Sequence, residues 1–170
     1  MAVANAAAEA ALRACLTAEG FSLTPQRGYG EIGVDVVATK PGEVLHIEVI
    51  GLKASPPARS KDFFEVFFRA ISRLNDGANR VVIALPARFG QGLHQRATFY
   101  GVAWQRLGLA FPELEVWLID HSAPSYRRCT WLEWLTSTHT LQPGDNPASL
   151  AGIEPADTLV AGVRGEREAE

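Results

Sequence analysis

Two short apolar runs, residues 33–38 and 46–51, each carry one acid near the middle: Asp35 in the first and Glu48 in the second. Only the turn Lys40, Pro41, Gly42, Glu43 lies between them. Alternating and continuous apolar residues predict β-strands over 32–39 and 44–50, and the Pro-Gly pair predicts a tight hairpin. Side chains alternate along a strand with period two, so Asp35 and Glu48 fall on one face of the sheet. Two ionised carboxylates in apolar surroundings repel each other and lose hydration, so a cation must hold them. A Mg²⁺ bound by one or two carboxylates, water and phosphate oxygens is the usual solution.

The chain is 170 residues long and 47% hydrophobic, enough for one domain with a substantial core. Its net charge of −3 argues against a nucleic-acid binder only until the charges are located. Between residues 51 and 110 nine basic residues face three acids, a surplus of six. A basic block beside an acidic pair provides a field for a phosphate backbone and a metal locus for chemistry. Some of those arginines are expected simply to be solvated helix surface. No uncharged apolar run is long enough to span a bilayer, so no membrane role is expected. The alanine-rich start carries Glu9 and Arg13 without a basic leader, and predicts a helix rather than a signal peptide. Cys15 and Cys129 lie far apart without histidines at metal spacing, which predicts a reduced cytoplasmic protein.

Along the chain, residues 5–19 predict an amphipathic helix whose buried face holds Ala8, Leu12, Cys15 and Leu16. Residues 21–26 predict a short strand, and 51–59, with two adjacent prolines, an exposed loop. Ser60 is then expected to cap a helix reaching residue 75, with Phe63, Phe67, Ile71 and Leu74 inward. Residues 80–85 predict a buried strand, 93–107 a helix, 115–120 a strand, and 126–135 a short helix bearing Trp131 and Trp134. Residues 138–170 contain three prolines and six acids against Arg164 and Arg167, which predicts a loosely attached acidic tail after a domain over 1–137. This order predicts an α/β fold, a mixed central β-sheet flanked by helices on both faces.

A helix, a strand bearing Asp35, a turn, a strand reading Ile47, Glu48, Val49, then a helix and the strand over 81–85 resemble the PD-(D/E)XK nuclease superfamily. The likeness covers roughly the first two-thirds of the chain. It implies a restriction-endonuclease-like core and Mg²⁺-dependent hydrolysis of DNA phosphodiesters, with Mn²⁺ as a substitute. By the same resemblance Asp35 and Glu48 bind the metal, Glu9 or alternatively Glu19 completes its shell through water, and the carbonyl of Val49 is a further ligand. The family's catalytic lysine falls on Ile50, which can neither orient a water nor stabilise charge on phosphate. Lys53, just past Gly51, or Lys61 on the next helix would have to replace it, or else Arg69 or Arg73, which share a helical stripe with Glu65. Arg59, Arg69, Arg73, Arg88 and Arg96 are the expected nucleic-acid contacts.

Each residue also has a plainer reading. Asp35 pairs with an arginine, Glu9 is a solvated helix acid, and His46 and His94 lie at an edge and near a helix start. The four tryptophans read as core rather than base-stacking platforms. Two other functions stay open: a DNA-binding module that kept the fold after losing its lysine, and an accessory subunit or homodimer docking through the aromatic last helix.

Overall fold

The computed structural model describes residues 4–28 and 33–136. Helix α1 spans Asn5–Ala18, and β1 (Ser22–Leu23), β2 (Val36–Lys40) and β3 (Glu43–Val49) form a meander. Helix α2 (Pro56–Ser72) leads through a 3₁₀ turn to β4 (Arg80–Pro86), and α3 (Gly90–Tyr100) and α4 (Val102–Ala110) lead to β5 (Leu114–Asp120). The short strand β6 (Ser125–Arg127) and α5 (Glu133–Thr136) close the described chain. The six strands lie in sequence order; β3, β4 and β5 are parallel and the outer pairings antiparallel. No described helix is long and apolar enough to cross a membrane. The expected tail, residues 138–170, lies outside the described residues.

Helices lie on both faces of the sheet, as the alternation of elements predicted. Two successive crossovers that step the same way across a sheet place their helices on one face when both have the usual right hand. Accordingly Phe63, Val66 and Phe67 of α2, Leu93 of α3 and Trp104 of α4 pack with Val81, Ile83, Val116 and Leu118. The opposite face is left to α1, whose Ala8, Ala11, Leu12 and Leu16 cover Leu45, Ile47, Val82 and Trp117. All four tryptophans are buried. Trp104 and Trp131 stack at 3.9 Å, and each indole N–H donates to the other's carbonyl oxygen, at 2.9 and 3.0 Å. They are core residues.

Several boundaries differ from expectation. The segment from Pro56 is helix, not loop: Pro56 and Pro57 occupy the first turn, where a fixed φ and a missing N–H cost nothing. Ser60 is therefore inside α2, and Ser55 stands at the N-cap position. The expected helix over 93–107 is two helices broken at Gly101, whose φ of 44° is costly for any residue with a Cβ. Residues 125–127 extend β5's edge instead of starting a helix, which buries Tyr126 against Trp117 with ring centroids 5.0 Å apart. The first strand is only Ser22–Leu23, because Pro25 has no N–H to carry the ladder on.

Glu115 on β5 is a buried acid. It accepts the Trp117 indole N–H at 2.6 Å and lies 3.1 Å from Arg80. Burial pushes its pKa above the usual carboxylate value, against the opposing pull of the Trp117 hydrogen bond and of Arg80 and Arg128. A raised folded-state pKa contributes stability at low pH that is lost as pH rises through the raised value. Wild type should therefore lose melting temperature relative to Glu115→Gln as pH rises above the usual carboxylate value of about 4. A constant difference across that range would show that Glu115 ionises normally.

Candidate functional site

The hairpin sets Val36 opposite Ile47, so Asp35, one residue before β2, falls beside Glu48. Both carboxylates face α2, on the side away from α1, and Glu48 is 0% exposed. Helix α2 brings Arg69, and Arg73 that follows its last residue, down onto them, one turn apart. Arg73 Nε donates to Glu48 Oε1 at 2.8 Å, and Arg69 Nε donates to Glu48 Oε2 at 2.9 Å. Arg69 Nη2 bridges the pair, contacting Glu48 Oε2 and, at 3.2 Å, Asp35 Oδ2. That same Asp35 oxygen accepts the backbone N–H of Val49 at 2.8 Å. The cations holding the acids together are guanidinium groups of the chain itself.

This arrangement is electrostatically self-sufficient. Burial alone would favour a neutral Arg69, but its hydrogen bonds and attraction to Glu48, with Asp35 and Glu65 adding, raise its pKa above the ordinary value. Both oxygens of Glu48 are already engaged. Among the described residues no three His, Cys, Asp or Glu side chains cluster so as to hold a metal ion. As arranged, donors of the chain itself occupy both oxygens of Glu48 and one oxygen of Asp35.

The other expected participants lie elsewhere. Glu9 pairs with Arg13 at 2.7 Å, and Arg13 in turn donates to the backbone oxygens of Asp35, at 3.0 Å, and Thr24, at 2.6 Å. Glu9 thus tethers the backbone before β2 through Arg13. Glu19 accepts the Tyr126 hydroxyl at 2.8 Å instead. The Val49 backbone stays beside the acids through its N–H to Asp35 while its side chain belongs to the α1-side core, and Ile50 packs on the other face with Phe63 and Val66. The Lys53 ammonium, expected beside Glu48, is paired with Asp62 at 3.2 Å, and Lys61 is exposed on α2. His94 Nδ1 lies 2.9 Å from the Trp134 carbonyl oxygen.

The remaining expected phosphate contacts converge on a second feature. Arg59 and Ser60 of α2, Arg88 after β4, and Gln91, Gln95 and Arg96 of α3 line a cleft of about 390 Å³. No acid lines it. Arg96 donates from Nη2 to Ser60 Oγ at 3.0 Å and lies over the rings of Phe63 and Phe64, at 5.1 and 5.5 Å. No protein-family model, curated protein or solved structure matches this chain. The chemistry of the site rests on its own residues. The five expected phosphate-binding arginines divide into two sets: Arg69 and Arg73 neutralise carboxylates, whereas Arg59, Arg88 and Arg96 line the cleft. Chain position separates them: Arg69 and Arg73, at the end of α2, are spaced to meet β3, whereas Arg59 lies near the start of α2 and Arg88 and Arg96 follow β4.

Proposed function

We propose that this chain is a nucleic-acid-binding module with a restriction-endonuclease-like core that has given up cleavage. The order helix, three-stranded meander, helix, strand supports the core. One observation carries the functional reading: the acid pair is bridged by Arg69, while three other arginines line a cleft that has no acid among its described residues. A guanidinium between the carboxylates does the neutralising that a metal would do, and with isoleucine at position 50 no lysine stands on the strand to orient water. The cleft keeps what binding needs. Arginine forks suit phosphate oxygens, and a site without carboxylates does not repel them.

The test is a salt titration of binding to DNA. Affinity should fall linearly on a double-logarithmic plot, with a slope to which each neutralised phosphate contributes about 0.7–0.9. For three arginines that is a contribution of about 2–3. Salt-insensitive affinity, or no binding at low salt, would contradict the proposal and favour a protein-docking module.

A further inference from the structure

We infer that the nucleic acid taken by the basic cleft is single-stranded, held by an aromatic ridge that stacks on its bases; this rests on the binding function proposed above. Three rings stand at the surface next to the cleft: Phe64 on α2, and Phe99 and Tyr100 at the end of α3. They are 42%, 82% and 40% exposed. Their edge-to-face contacts make them one continuous row, with Phe64 and Tyr100 at 6.2 Å and Tyr100 and Phe99 at 5.2 Å. Arg96 joins the row to the cleft, because its guanidinium lines the cleft and also lies over Phe64.

Rings left in water at such exposure mark a surface awaiting a partner. The neighbouring chemistry specifies which. An apolar protein partner would not need three arginines at the margin with no counter-charge among the described lining residues, whereas a strand of nucleic acid offers phosphates to the arginines and flat base faces to the rings. Those faces are available only in a single strand, since in a duplex they are spent on each other. A basic groove combined with exposed aromatic platforms is the arrangement by which single strands are bound without sequence preference. The break at Gly101 ends α3 directly after Tyr100, so the two rings sit at the end of the helix whose first half lines the cleft.

The experiment compares anisotropy of a short fluorescein-labelled single strand with that of its duplex, for wild type and three variants. Phe99→Leu/Tyr100→Leu keeps apolar bulk and removes the aromatic faces; Phe99→Trp enlarges one face; Arg59→Ala/Arg88→Ala/Arg96→Ala removes the phosphate contacts. The leucine variant should bind the single strand roughly tenfold more weakly, with duplex affinity unchanged. Phe99→Trp should bind at least as tightly as wild type, and the arginine variant should lose both forms. If the leucine variant binds the single strand as wild type does, the ridge is not a stacking platform, and the binding function stands without it. If wild type binds neither form, the binding function fails and the ridge with it. A wild-type dimer in sedimentation velocity that Phe99→Asp separates, with oligonucleotide affinity unchanged, would assign the ridge to a second copy of the chain and overturn the inference.

Discussion

Replacing Arg69 and Arg73 together by methionine is expected to destabilise the fold by about 3–5 kcal/mol. Methionine retains most of the aliphatic stem, so the loss reports the charges rather than the packing. Glu48 has no exposed surface, and without its arginines it becomes a buried carboxylate with no counter-charge. The reverse change should cost less. In Glu48→Gln the arginines lose a partner, but Arg69 is 42% exposed and can turn to water. Adding Glu48→Leu to the methionine pair should restore most of the lost stability, because an apolar replacement of a whole buried ion cluster is often neutral. Urea midpoints of the four proteins check this order. A double methionine variant as stable as wild type would mean that Glu48 reaches water or another cation.

The second large effect is on binding. Arg59→Ala/Arg88→Ala/Arg96→Ala should lower affinity for nucleic acid on the order of a hundredfold at low salt, and reduce the salt slope by about 2–3. Phosphate contacts carry no base information, so the loss should be the same for all sequences. Arg69→Met should change affinity far less, since its guanidinium is already committed to Asp35 and Glu48. Equal losses in both variants would mean that the acid pair lies within the binding path. Thermal melts separate these effects from unfolding.

The hairpin was legible in the sequence because the Pro-Gly turn fixes register and period-two alternation fixes facing, so Asp35 and Glu48 were expected on one side. The absence of a lysine at position 50 was legible too. What the sequence left open was which basic group meets the acids. Lys53 is nearer in the chain, but Asp62 at the start of the next helix captures it, whereas Arg69 and Arg73 sit where α2 crosses β3. That depends on where α2 begins, and the paired prolines that begin it also suit a loop. The Gly101 break was hidden because a single glycine is tolerated inside a helical pattern. The strand over Ser125–Arg127 was hidden because three residues carry too little periodicity. The aromatic ridge was hidden for a related reason: Phe64, Phe99 and Tyr100 look like core until their burial is known.

Whether this α/β domain binds nucleic acid without cleaving it, as proposed, is decided most directly by incubating the protein with end-labelled single-stranded and duplex DNA in Mg²⁺ and in Mn²⁺, and resolving the products on native and denaturing gels. Retarded DNA on the native gel and intact strands on the denaturing gel are expected, with either metal and with chelator alike. Strand cleavage that requires the metal and disappears in Glu48→Gln would contradict the proposal.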